Sequence, residues 1–430
     1  MGAGCDNWAM IRLPSDPVER PLVGAVAALS LARGMFFAVS ALYFTRTVGL
    51  SAVTVGIGLT VAGAVGVVAT YAGGRLSDRW GADRVQLWAM ASYGIALLAY
   101  ALARDVVAFV LVATWVSASR GFQSSAQSTL VARWFDGPDR VAVRARLRVV
   151  MNVMIGVGTL LAALALAVDT GAAYRTTMVV VGVLTTLAAV PLVGLRRRVA
   201  GLAETMDAGA GPAVAKGPSP LRDRTYVTAT VLSGVMAIHF GVTSIGVPLW
   251  VADHTDAPTV LVSVLLVVNT VYVALFQVRA SRGTHDIAIA GRAVRGAGFL
   301  LLGACLLFAA AAYAGPAVAT GLLLLAALAS SAAETRGEAG SWGLAFELAD
   351  QQRAGAYQGV SQMGYALAHM LAPLVVTATA IDHGTGGWMV LGALFAVTGI
   401  LTAVLARHAA AVRARAQAQR SEYVASETPV

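Results

Sequence analysis

Charge is scarce in this chain. Charged residues make up 12% of its 430 positions, against 58% hydrophobic ones, and a water-soluble domain carries roughly twice that charged fraction. The deficit excludes an ordinary soluble fold and points to an integral membrane protein. Lysine is nearly absent, Lys216 being the single one among 31 basic residues. That bias, with the alanine and glycine load, suggests a bacterial gene of high GC content. Cysteine is limited to Cys5 and Cys305, so neither a disulfide framework nor a metal site is expected. No phosphate-binding loop or nucleophile–base pair occurs, which argues against an enzyme and against ATP hydrolysis. No apolar stretch precedes the first long hydrophobic run, so no cleavable signal peptide is expected. Asp6 stands where N-myristoylation needs Ser or Thr, so that anchor is not expected either.

What the chain does have is long apolar runs. A bilayer core of about 30 Å needs roughly 20 apolar residues per helix. Twelve runs meet that demand: 23–44, 53–73, 85–103, 106–131, 149–168, 176–195, 226–250, 259–278, 294–313, 317–346, 356–381 and 388–406. They are continuous rather than alternating, which predicts an all-α membrane protein and excludes a β-barrel. The formal charge of +9 does not mark a nucleic-acid partner, because the arginines are spread through the connections. They mark topology instead. One set of connections carries nearly all of them, and the opposite set only Arg46, Arg104 and Arg175. Basic loops stay inside, so both termini are expected in the cytoplasm of a multi-pass plasma (inner) membrane protein. The organisation expected is a cytoplasmic tail 1–22, a six-helix bundle 23–195, a flexible linker 196–225, a second bundle 226–406 and a cytoplasmic tail 407–430. An even split of this kind is found in tandem-duplicated transporters.

Between the second and third runs stands Gly74, Asp78, Arg79, Gly81 and Arg84, spaced Gly-x-x-x-Asp-Arg-x-Gly-x-x-Arg. Its charge and length read as a tight aqueous turn, with the glycines permitting conformations a side chain would obstruct. The spacing and its position resemble the loop signature of the major facilitator superfamily of secondary transporters, and the likeness runs from residue 23 to 406. The resemblance implies two pseudo-symmetric six-helix bundles rocking around a central cavity lined by helices 1, 4, 7 and 10. It also implies that Asp78 engages the start of helix 11 near residues 355–357 and holds an outward-open state, with Arg79 and Arg84 completing the charge cluster.

Ionisable residues inside membrane helices are rare and usually functional. Here Arg33 lies in the first run, Arg120 in the fourth, His239 in the seventh, and Glu334, Arg336 and Glu338 in the tenth. These are the four helices that the resemblance places around the cavity. His369 in the eleventh is a more ambiguous case. Arg120 is about 14 residues into its run, roughly 20 Å deep. With Gln123 it forms an Arg-x-x-Gln spacing similar to a superfamily helix-4 motif associated with proton coupling, although Ser124 replaces the usual glycine. Glu334 and Glu338 are four apart and share one helix face, with Arg336 pointing elsewhere. They are the only acids deep in a run, so a proton-carrying carboxylate must be one of them. The alternative is a structural charge network. Arg33 requires a substrate anion, a helix-10 glutamate or backbone carbonyls as partner, and His239 serves either a proton or a single structural hydrogen bond.

Other residues read as architectural. Gly56, Gly58, Gly63 and Gly66, Gly156 and Gly158, and Gly355, Gly359 and Gly364 would permit close crossing. Pro248 and Pro373 would kink their helices. Trp80, Trp88, Trp134, Trp250 and Trp388 fall near the ends of runs as an aromatic belt would. Trp115 and Phe36 are cavity candidates. The function expected is proton-coupled efflux of small organic molecules by alternating access, driven by a proton gradient with no cofactor, from a monomer whose partners are substrate, protons and lipid. Two departures from drug–proton antiporters of the superfamily stand out: helix 5 has Gly156 and Gly158 without the usual proline, and Arg33 stands in place of the usual helix-1 acid. The alternative is an importer or facilitator of an organic anion gripped by Arg33 and Arg120; a non-transporting membrane sensor is a third class.

Overall fold

The computed structural model describes residues 16–208, 211 and 218–427; Cys5, Arg12 and Lys216 lie outside them. Among the described residues, twelve helices are long and apolar enough to cross a membrane. They are α1 Glu19–Thr47, α2 Val53–Trp80, α3 Ala82–Leu102, α4 Val106–Trp134, α5 Pro138–Val168 and α6 Gly171–Arg198. After the linker come α7 Arg224–His254, α8 Leu261–Ala280, α9 Ile287–Ala311, α10 Pro316–Glu347 and α11 Gln351–Ile381, then α12 Gly384–Glu427. Their starts are set by short polar side chains that take an orphan amide of the first turn. Ser51 does this for α2, Asp105 for α4, Thr170 for α6, Asp223 for α7 and Asp286 for α9. Pro138 and Pro316 open α5 and α10, where a missing N–H costs nothing.

The chain divides into two compact units. One comprises Met1–Ser219 with Asp350–Met370, the other Pro220–Ala349 with Leu371–Val430. In the first, α1 packs along α5, α2 along α4, and α3 between α4 and α6. An aromatic knot closes one end: Phe44 meets Phe109 at 4.7 Å and Tyr100 at 4.9 Å between ring centres, and the Tyr43 hydroxyl donates to the Tyr100 carbonyl at 3.2 Å. In the second, α9 packs on α10 and α12, and α8 on α10. Its core holds Trp250, Phe308 and Trp388, with Trp250 Nε1 donating to the Phe308 carbonyl at 2.8 Å. Trp250 and Trp388 are therefore core residues and not the belt residues their position suggested. Trp80 and Trp88 are exposed as a belt requires.

Four further expectations change. The segment 74–84 is not an open turn: α2 stays helical through Trp80, Gly81 alone breaks the helix with φ +89°, and α3 starts at Ala82. A continuous helix keeps its backbone amides bonded, which an aqueous turn would not. The linker carries a short helix, Leu202–Ala208, whose Leu202 and Met206 are fully buried in the first unit. Arg140, Arg144, Arg146 and Arg148 sit on α5 and not in a connection; Arg146 forks onto the buried Glu19 carboxylate at 2.5 and 2.9 Å. Finally, Gly56 and Gly156 face open space, whereas Gly58 and Gly66 press on α4 at Phe109 and Ser117. The regular helix is also interrupted beside both prolines: a π-turn spans Val242–Gly246 before Pro248, and another spans Thr377–Ile381 after Pro373.

Candidate gating contact and buried ionic groups

Asp78 is the most fully engaged of the motif residues. Its place one turn before the Gly81 break brings the side chain, 1% exposed, against the start of α11. The Gly355 N–H donates to Oδ1 at 2.8 Å and the Ala356 N–H to Oδ2 at 2.6 Å. These are the orphan amides of a helix N-terminus, where an anion is favoured. Gly74 makes the approach possible: a Cβ there would stand 2.1 Å from the Gly355 carbonyl oxygen. The cation on Asp78 is Arg133 at the end of α4, with Nη2 at 2.5 Å from Oδ1 and only 4% of the side chain exposed. The resemblance implies Arg79 and Arg84 as the cations of this cluster, and the structure places Arg133 there instead. Arg79 is exposed, and Arg84 donates to the Trp80 carbonyl and lies 3.8 Å from Asp207. Arg133 also donates to the Met206 carbonyl at 3.4 Å, and the Gly211 N–H donates to the Asp78 carbonyl at 2.8 Å. The linker thus lies over the motif. Deeper along α4, Ser124 donates to Gln362 Oε1 at 3.0 Å, and Gln362 Nε2 donates to Ser128 at 2.8 Å, so one side chain of α11 bridges one turn of α4.

Three arginines of the first unit, Arg33, Arg120 and Arg148, lie on α1, α4 and α5. Arg33 on α1 is half-buried, its guanidinium 5.8 Å from the Phe37 ring centre and Nη1 4.0 Å from Met151 Sδ. Soft, neutral neighbours of this kind do not cancel its charge. Arg120 on α4 and Arg148 on α5 lie within electrostatic range of it. Arg148 was not foreseen, because its run of alternate arginines reads as a loop; their two-residue spacing at the start of a helix was the available signal. Arg120 is exposed, whereas Gln123 is buried and donates to Gln127 Oε1 at 2.8 Å. The two ends of the Arg-x-x-Gln spacing therefore do not act on one point. Phe36 stacks on Tyr100 at 6.1 Å and belongs to the core rim. Trp115, 41% exposed, donates to Ser92.

In the second unit Glu334 and Glu338 on α10 are both buried, at 4% and 5% exposure, and Arg336 between them is exposed. Helical spacing separates them as expected. Asn269 Nδ2 on α8 donates to Glu334 Oε2 at 2.9 Å and reaches Ser331 Oγ at 3.1 Å. Two turns along α8, Gln277 is fully buried and Nε2 donates to the Thr335 carbonyl at 3.3 Å. Two amides eight residues apart in an otherwise apolar run were the overlooked signal that α8 serves α10. A cavity of about 20 Å³, bordered by Thr243, Asn269, Ser330 and Ser331, has room for one water. His239, beside the π-turn of α7, donates from Nδ1 to the Met236 carbonyl at 2.7 Å; its buried Nε2 has no partner among the described residues. His369 is exposed.

These features can be set against known proteins. A family model described as Major Facilitator Superfamily matches residues 22–373. No curated protein sequence matches the chain. Among solved structures, the human organic anion transporter MFSD10 (TETRAN) aligns with TM-score 0.67 and 16% identity, over 91% of this chain and 100% of its own. The proton:xylose symporter XylE, bound to 6-bromo-6-deoxy-D-glucose, aligns with TM-score 0.66 and 15% identity, over 93% and 97%. A bacterial homologue of the iron transporter ferroportin in its outward-facing state aligns with TM-score 0.70 and 14% identity, over 91% and 98%. At these identities the structural likeness speaks for the fold, and the fold agrees with the family model. With twelve membrane-length helices and the helix-2/3 motif docked on helix 11, this multi-pass membrane protein belongs to the Major Facilitator Superfamily of transporters.

Proposed function

We propose that the chain is a proton-coupled exporter of small organic molecules, acting as a monomer in the plasma membrane with both termini in the cytoplasm. The observation that carries this reading is the buried Glu334 carboxyl held by the neutral amide of Asn269. An amide N–H can donate to the carbonyl oxygen of a protonated carboxyl as well as, more strongly, to a carboxylate, so the contact survives in either protonation state. Glu338, on the same face, is the second candidate for the titrating group. The water-sized cavity beside Asn269 and Ser331 offers a position for a proton relay. Proton loading from one membrane face and release to the other would then drive cargo the opposite way by alternating access. In that cycle the Asp78 contact with Gly355 and Ala356 is the gate that must form and break, together with Arg133.

The test is flux in proteoliposomes with an imposed pH gradient, screened over chemically diverse cargo. The double variant Glu334→Gln, Glu338→Gln is expected to lose gradient-driven transport while still exchanging bound substrate; uphill transport retained in that variant would end the coupling claim. The grouping of Arg33, Arg120 and Arg148 favours a second reading, an importer or facilitator of an organic anion. Loss of substrate binding in Arg33→Ala with an unchanged pH dependence would select it.

A further inference from the structure

Beside Arg84, the first unit has a cavity of about 330 Å³ between the start of α3, Leu130 of α4 and the end of α6. Its polar rim holds Arg84, Arg196 and Arg197, and its apolar side holds Leu87 and Val193, Val193 being 56% exposed. Gln86 forms part of the wall. It has no exposed surface, and neither Oε1 nor Nε2 has a hydrogen-bond partner among the described residues. A buried primary amide with both ends unpaired is costly, and such a group beside a cavity is explained by an occupant that supplies the missing bonds. The charges around it define that occupant. Arg196 is committed to Asp83, 3.1 Å from both carboxylate oxygens, and to Asp207. Arg84 is only 3.8 Å from Asp207 and Arg197 is exposed, so the rim carries more cation than the two carboxylates balance. A cationic rim above an apolar wall, where α3 starts and α6 ends, fits an amphiphilic anion.

We propose that this cavity binds the phosphodiester headgroup of an anionic phospholipid. Arg197 and Arg84 donate to the non-bridging phosphate oxygens, Gln86 pairs its amide with a headgroup oxygen or hydroxyl, and Leu87 and Val193 receive the first methylenes of an acyl chain. The site is independent of the transport reading, since neither cargo nor proton passes through it. The phosphate could equally come from the aqueous phase, and the test separates the two sources.

The test uses the full-length protein in nanodiscs and reads its thermal unfolding temperature. Phosphatidylcholine discs are compared with discs containing phosphatidylglycerol or phosphatidylethanolamine, and with phosphatidylcholine discs bathed in inorganic phosphate. The wild-type protein is expected to unfold at higher temperature with phosphatidylglycerol alone. Arg197→Ala, an exposed substitution that leaves packing untouched, is expected to lose at least half of that rise. Gln86→Leu is expected to lose it while unfolding no earlier than wild type in phosphatidylcholine, because the unpaired amide is gone. Arg282→Ala, which removes one positive charge from an exposed position in the second unit, is expected to keep the full rise. An undiminished rise in Arg197→Ala, or a loss as large in Arg282→Ala, overturns the site. A rise with phosphatidylethanolamine overturns the anionic headgroup, and a rise with inorganic phosphate overturns the lipid.

Discussion

Gly74→Ala is the sharpest test of a single atom. The added Cβ would lie 2.1 Å from the Gly355 carbonyl oxygen, a backbone atom that cannot step aside. We expect the Asp78 contact to open and a cysteine introduced at Ala356 to react faster with a thiol probe than in the Gly74 parent. The pair Asp78–Arg133 beneath it is buried, and breaking a buried pair by removing one partner typically costs about 3–5 kcal/mol. A second residue, Asp169, lies between α5 and α6 with a left-handed φ of +45°. The Tyr174 hydroxyl, against the opposing effect of desolvation and with the Arg46 guanidinium adding to it, holds its carboxyl below the usual carboxylate range. A lowered folded-state value contributes stability that is full above the unfolded pKa, about 3.9, and is lost as the pH falls through the folded value. Asp169→Asn is therefore expected to flatten the acid limb of the stability–pH profile below about pH 4. Exposure of both partners keeps the change small, and thermal unfolding at pH 7 and pH 3.5 would check it.

At the scale of elements, the linker helix Leu202–Ala208 is the addition that matters. Seven residues cannot hold a helix alone in water, so the segment owes its structure to the burial of Leu202 and Met206 and to the bonds from Arg133 and Arg196. It ties the linker to the same arginine that neutralises Asp78. Met206→Ala should cost about 2–3 kcal/mol if the space does not refill. It should also expose the linker, which limited proteolysis would register as faster cleavage between the two units at an unchanged pattern elsewhere. The π-turns of α7 and α11 are the other element-scale feature. One lies beside His239 and Pro248, the other beyond Pro373, and such interruptions are frequent where a helix serves function.

At the scale of the molecule, the arginine distribution makes a topology prediction. An impermeant thiol reagent applied to intact cells should label Arg104→Cys, at the α3–α4 connection, and not Asp136→Cys, at the α4–α5 connection. Both parent positions are exposed, so equal labelling would overturn the orientation and with it the cytoplasmic placement of the gate.

Twelve spans and their family were legible in the sequence because membrane helices are specified one at a time. Each must satisfy its own backbone and present about 20 apolar residues to lipid, and both demands are local. Legible for the same reason were the shared face of Glu334 and Glu338 and the opposite placement of Arg336, which follow from helical periodicity alone. What the sequence could not assign were partners. Arg133 reads as a boundary marker and Arg148 as a loop charge, while Asn269 and Gln277 receive no assignment from the sequence. Trp250 and Trp388 looked like interface residues until packing enclosed them. Each of these depends on which helix lies alongside, 55 residues away for Asp78 and Arg133 and 65 for Asn269 and Glu334. Hydrophobic length fixes that a helix crosses; only close packing of several helices decides which polar side chain its neighbour must answer.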